Sequence, residues 1–243
     1  ELEKFTQIPA SAEQNPRTRI TKLIHQPNTD KLFVVDLRGK LYFLNGEKPE
    51  VYLDMAKEKP KFIHTPGLAT GFGSFAFHPE FSKNGLLYTT HTEPAASAKA
   101  DFGFADSIKV ELQWIVSEWK TKTPAAKPFS GESRELLRVD MESQIHGVQE
   151  IIFNPLSKPG DKDYGLLYIG IGDGGSAEHG YPFLCGSTEK IWGTVLRIDP
   201  KGSNSANRNY GIPPDNPFVK SEKPNLVKEI FALGFRNPHR IIW

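Results

Sequence analysis

Four residues in three glycine-rich motifs have side chains suited to chemistry. His146 opens "HGVQEIIF", just ahead of an apolar run. A neutral imidazole there is the usual proton acceptor near neutral pH, suited to taking a hydroxyl proton; a histidine satisfied by a neighbouring carbonyl is the structural alternative. Asp173 sits in "IGIGDGGSAEHG", where Gly170, Gly172, Gly174 and Gly175 permit positive φ and close backbone approach. Its carboxylate could hold a cation or a ligand hydroxyl, or belong to a tight Asp-Gly turn. No Lys-Ser/Thr follows, so the run is not a phosphate cradle. Arg236 and Asn237 lie in "GFRNPHR". Arginine's fixed fork of donors suits a planar carboxylate or carbonyl, and equally a structural tie between sheets.

Other candidates carry less. His64, His78, His91 and His179 are scattered, and no pair has metal-ligand spacing. "YGIPPDNPF" at 210–218 reads as a rigid loop that shapes a rim. The lone cysteine, Cys185, rules out an internal disulfide framework and an all-cysteine metal site.

Elements that could position these residues follow from a repeat. "LIHQPNTDKLFVVD", "FAFHPEFSKNGLLYTTHTE" and "IIFNPLSKPGDKDYGLLYIGIGDGG" each run from an apolar stretch through a proline and a polar turn into a second apolar stretch. Pro27, Pro79 and Pro155 correspond, as do Gly85-Leu86-Leu87-Tyr88 and Gly165-Leu166-Leu167-Tyr168. Proline ends one strand because it cannot donate to a ladder, and the Gly/Asn/Asp turn starts the next. Each copy is therefore a hairpin, with strands expected at 73–78, 85–91, 148–153 and 165–171. "GKLYFL", "IKVELQWIVSEW", "RELLRVDM", "TVLRID" and "LVKEIFALGF" supply further strands, the second placing Val110, Leu112 and Trp114 on one face. A short helical turn is possible at "STEKIWG". Four or so strands per repeat predict all-β architecture, a β-propeller of three consecutive blades rather than a two-sheet sandwich. "RNPHRIIW" reads as the opening strand of a fourth blade. Residues 1–243 are thus expected to form a single propeller domain, cut at its C-terminal end from a longer chain.

Composition excludes some classes. Lys and Arg number 30 against 29 Asp and Glu, so no net field favours nucleic acid. No apolar segment reaches the roughly 20 residues of a membrane-spanning helix. The opening "ELEKFTQIPA" shows no basic-then-apolar signal, a picture that a removed signal would also leave. Gly and Pro, 21 and 19 residues, fit many turns between short strands.

The ordered series "SEW", "RELLRVD", a His before an apolar strand, "LYIGIGDGG", "GTVLRIDPKG", "YGIPPDNPF" and "EIFALGFRNP" resembles the glucose/sorbosone dehydrogenase family. The resemblance runs from about residue 15 onward. It implies a six-bladed propeller of which this chain holds somewhat over half. It also implies oxidation of an aldose or related polyol with pyrroloquinoline quinone (PQQ), calcium and an external electron acceptor, in the periplasm or outside the cell. His146 falls on the family's base, Arg236 and Asn237 on its quinone-polarising pair, and Asp173 on its site aspartate. Ala69 and Gly174 stand where glucose-oxidising members carry Gln. Ile145 replaces the acidic neighbour of the base, leaving His146 without that orienting carboxylate. Residues that bind the quinone's carboxylates and the calcium are expected beyond Trp243. The alternative is a cofactor-less propeller that binds carbohydrate or protein, as animal members of the wider family bind signalling proteins.

Overall fold

The computed structural model describes residues 3–67, 69–104 and 107–243. Among these residues twelve strands form three four-stranded antiparallel sheets, each following sequence order. The first holds β1 (Ile20–His25), β2 (Leu32–Asp36), β3 (Lys40–Asn45) and β4 (Lys48–Asp54). The second holds β5 (Ser74–Phe77), β6 (Leu86–Pro94), β7 (Leu112–Lys120) and β8 (Glu132–Met141). In the third are β9 (Glu150–Phe153), β10 (Leu167–Ile171), β11 (Thr194–Ile198) and β12 (Ile230–Leu233). The first strand of each sheet meets the first strand of the next, with β5 packed against both β1 and β9. Three such sheets replace the sandwich alternative with a propeller-like arrangement.

The expected hairpins are present: β5 is a residue shorter at each end, β6 starts a residue later and runs on to Pro94, and β9 and β10 each start two residues later. Two apolar cores lie between neighbouring sheets. Phe33, Val35, Phe43 and Tyr52 of the first sheet pack on Phe75, Phe77, Leu87 and Trp119 of the second. Leu112, Trp114, Val116 and Val139 of the second pack in one cluster with Ile151, Leu167, Ile169 and Leu196 of the third. Leu112 and Trp114 share a face as period-2 alternation requires, whereas Val110 precedes the strand.

In the second and third copies the polar turns are built by the residue ahead of the proline. His78 Nδ1 accepts the Glu80 N–H at 3.0 Å, and in the third copy Asn154 Oδ1 accepts the Leu156 N–H at 2.9 Å. In the second copy the turn tightens into a single helical turn, α2 (Phe81–Asn84), preceded in the chain by α1 (Met55–Glu58). Gly85 closes α2 in the left-handed region at φ +67, where a Cβ would lie 2.1 Å from the Thr121 carbonyl. Two expectations are corrected. "STEKIWG" forms turns without a helix, and the short 3-10 turn lies earlier, at Pro182–Leu184. Residues 236–243 form no strand among the described residues; no partner strand lies beside them, and an extended segment without a ladder is not a strand. No described helix is long and apolar enough to cross a membrane.

Burial pushes the His78 imidazole down to about 4. Two donors, Glu80 N–H and Asn84 Nδ2, face its Nδ1, so only the neutral ring satisfies them. The unfolded chain, titrating near 6.5, then binds the extra proton first. Its contribution is complete above that value and is lost as pH falls towards 4. Thermal melts should show Tm dropping across this window, and His78→Asn, which keeps the cap as in the third copy, should flatten part of the drop. An unchanged slope would assign the acid sensitivity to other groups.

Candidate functional site

His146 is the link between the second and third sheets. It adopts φ +50, a conformation uncommon outside glycine, and its carbonyl accepts the Gly174 N–H at 3.1 Å. Glycines make the close approaches around it possible. A Cβ on Gly172 would stand 2.0 Å from the His146 carbonyl oxygen, and one on Gly147 would stand 2.1 Å from Trp114 Nε1. The His146–Gly147 backbone thus rests on the indole of β7, with the end of β10 pressed against it.

The imidazole is held by Asp173. Its Nδ1 lies 2.6 Å from Asp173 Oδ1, which also accepts the Gly175 N–H at 2.9 Å. Asp173 is 1% exposed, and its Oδ2 has no partner among the described residues. A carboxylate acceptor assigns the proton to Nδ1 and leaves Nε2 as the free acceptor. The orienting carboxylate that the sequence placed in doubt at Ile145 is therefore supplied by Asp173, 27 residues further on. Sequence spacing could not show it, because the contact forms only when β10 ends beside the turn into β9.

The third motif joins through its backbone. The Asp173 N–H donates to the Arg236 carbonyl at 2.9 Å, and the Pro238 carbonyl lies where a Gly170 side chain would stand. Asn237 brings to this region a buried Oδ1 with no partner among the described residues. Arg236 turns its half-exposed guanidinium to Glu178, on the loop after Asp173, and pairs with it. His239 was not singled out in the sequence; it is half-buried, and burial, Arg240 and His146 all hold its imidazole below the ordinary value. Its position two residues after Asn237 was the available signal. Ala69 adjoins the site through its N–H to the Gln144 carbonyl at 3.3 Å, and a Cβ on Gly174 would lie 2.9 Å from Met141 Sδ. Among the described residues no group of three or more His, Cys, Asp or Glu side chains is placed to hold a metal ion. The half-buried Cys185 sits 3.2 Å from Ser176 Oγ, and burial raises its thiol. The 210–218 loop packs inward: Asn216 bonds Arg197, and Tyr210 donates to Glu229 at 2.8 Å. It therefore braces the third sheet.

This arrangement is an oriented imidazole with one ring nitrogen unbonded among the described residues, packed against glycines at the end of β10. Residues 20–243 match the model of the glucose/sorbosone dehydrogenase family, and the chain belongs to that family. It is similar to HIPL1 protein of Arabidopsis thaliana, 26% identical over 81% of this chain and 30% of the relative. It is also similar to the human Hedgehog-interacting protein, 30% identical over 87% of this chain and 28% of the relative. The quinoprotein glucose dehydrogenase B of Acinetobacter calcoaceticus is 26% identical over 82% of this chain and 38% of its own length. The chain thus spans well under half the length of these curated relatives. Among solved structures, the PQQ-bound aldose sugar dehydrogenase of Streptomyces coelicolor superposes with a TM-score of 0.60. It is 17% identical, with 96% of this chain and 55% of that chain covered, a likeness that shows the fold.

Gly147→Ala tests how tightly the site is seated. Its Cβ would meet Trp114 Nε1 at 2.1 Å, and Trp114 is buried. Overpacking of this kind costs about 1–3 kcal/mol. Urea unfolding should show a loss in that range, and a neutral result would mean that the His146 turn shifts freely.

Proposed function

We propose that the chain forms part of a β-propeller that oxidises an aldose or related polyol with PQQ and passes electrons to an external acceptor, in the periplasm or outside the cell. The observation that carries this reading is the His146–Asp173 bond of 2.6 Å, which leaves Nε2 free to accept. In the proposed step the sugar's reacting hydroxyl gives its proton to His146 Nε2 while hydride leaves the same carbon. The chemistry expected of a bound quinone is acceptance of that hydride. Asp173 holds the ring in one tautomer and stabilises the imidazolium as it forms, the role of the buried carboxylate in such pairs.

The residues fit the reacting end of such a cofactor. Arg236 can leave Glu178 at small cost, because exposed ion pairs are worth about 0–1 kcal/mol, and with the Asn237 amide it would then offer donors to quinone oxygens. For the cofactor's carboxylates the described residues supply less. The buried cations Lys22, Arg138 and Arg197 are each engaged by a carboxylate: Glu150, Glu93 with Glu135, and Asp215. Buried anions are costly unless paired. Calcium, expected with PQQ from the resemblance, finds no ligand cluster among the described residues.

A second reading, a propeller that binds protein or carbohydrate without a cofactor, is favoured by the 30% identity to the Hedgehog-interacting protein and by closure of Arg236 on Glu178. Dye reduction separates the two. The full-length protein with added PQQ and calcium should reduce a dye in the presence of an aldose, and His146→Gln should lower turnover by about 10²–10⁴, the usual contribution of a positioned base. Undiminished turnover would move the base elsewhere; absence of any sugar-dependent reduction would favour the binding module.

Cofactor titration gives a separate check. Residues 1–243 alone should bind PQQ weakly, without the saturable absorbance change of a tight site. Tight binding would mean that cations of these residues rearrange to meet the carboxylates.

A further inference from the structure

Beside His146, on the N-terminal side of its turn, lies a cavity of about 300 Å³ lined by Glu111, Glu142, Ser143, Gln144, Ile145 and His179. The volume is at the small end of the range for small-molecule pockets. Glu142 is its unusual member. The side chain is 6% exposed, yet both oxygens share a single donor, His179 Nδ1, at 2.9 and 3.0 Å. An ionised carboxylate offers about four acceptor positions, and a buried one is costly unless they are filled. No other donor reaches Glu142 among the described residues. Gln144 Oε1 is also buried without a partner among the described residues, against Gly67.

Glu142 thus keeps unfilled acceptor positions, so a ligand seated on it must bring donors. The His179 imidazole, 50% exposed, is bonded among the described residues only to Glu142 and can be displaced without opening the core. It lies on the loop that begins at Asp173, whereas Ile145 is the residue before His146. A ligand seated on Glu142 would therefore lie against Ile145, the chain neighbour of His146. Glu111, on the rim, pairs with Lys109 at 3.1 Å, which leaves Glu142 as the carboxylate a ligand would meet.

We infer that this cavity is a polyol subsite in which Glu142 accepts hydrogen bonds from vicinal hydroxyls of the sugar, at the end remote from the carbon that faces His146. The choice of sugar rests on the dehydrogenase reading. Glu142 would set affinity and specificity and take no part in proton transfer.

The test uses the full-length protein without added quinone and D-glucose as the probe, followed by calorimetry and by NMR of the histidine side chains. Saturable binding is expected, with the His179 imidazole signals shifting as the sugar displaces the ring. Glu142→Gln keeps the shape and removes the charge, and it should raise Kd at least tenfold. An unchanged Kd in the folded variant, or a silent His179 during wild-type saturation, overturns the assignment; if the variant does not fold, the His179 signal decides alone. Binding of D-glucosamine with no binding of D-glucose would make the pocket a cation site and also overturns it. Failure of the dehydrogenase reading is distinguishable. Glucose binding that depends on Glu142 in a protein that reduces no dye supports the subsite and removes the oxidation. Dye reduction with KM unchanged in Glu142→Gln does the reverse.

Discussion

The three sheets depend on one buried ion pair. Lys22 of β1 points its ammonium at Glu150 of β9, and donates as well to Ser74 Oγ of β5 at 3.3 Å and to the Ile151 carbonyl at 2.8 Å. Ser74 Oγ in turn accepts the Ile151 N–H at 3.2 Å. The first strand of every sheet therefore contributes to a single node. Burial alone disfavours the lysine charge and pulls its ionisation downward, and Glu150 opposes that pull. Such a pair adds little net stability over an apolar substitute, but loss of one partner costs about 3–5 kcal/mol because the other charge stays buried. Its service is angular: it fixes how three otherwise separate sheets converge.

Convergence at that node places the site. Glu150 follows His146 by only a few residues, and Arg240 donates to the Gln149 carbonyl at 3.1 Å, so the segment with Asn237 and His239 is tied to the same strand. Above the node, close approach takes over from charge. The turn at His146 is seated between Trp114 and the glycine-rich end of β10, where side chains of any size are excluded. Glycine at Gly147 and Gly172 is required by contact distance alone, and this allows His146 to be held at φ +50. Strain of this sort persists when the surroundings over-determine it, and it clusters at functional sites.

Much of this was legible in the sequence because it is local. Proline, a polar turn and a glycine recur three times, and each signal acts within a few residues, so the hairpins at Pro27, Pro79 and Pro155 could be read directly. His146, Asp173 and Asn237 could be named from their motifs for the same reason. What escaped was long-range. Nothing adjacent to Ile145 announces that Asp173 will orient His146, since the strand β10 intervenes. Lys22 reads as an ordinary solvated lysine in "ITKLIH" until β9 brings Glu150 to it. Glu142 and His179 belong to different loops and look unremarkable apart. The "RNPHRIIW" segment matched the pattern of an opening strand, but a strand exists only where a neighbour completes the ladder.

The site also bears on which class of function suits these residues. A binding surface gains affinity from exposed aromatic and arginine anchors, and it has no use for an imidazole locked in one tautomer by a carboxylate that is 1% exposed. Burying Asp173 with one oxygen unpartnered is costly. The cost is offset if His146 becomes positively charged during a reaction, because the nearby carboxylate then interacts with a cation in a medium of low dielectric. Arg236 tells the other way, since its guanidinium is closed on Glu178 at the surface. The two observations differ in weight. The Arg236–Glu178 pair is exposed and opens at little expense, whereas the His146–Asp173 pair is built into the junction of two sheets. The more expensive feature is the one that a proton-transfer site requires, and on that ground the oxidation reading stands ahead of the binding module.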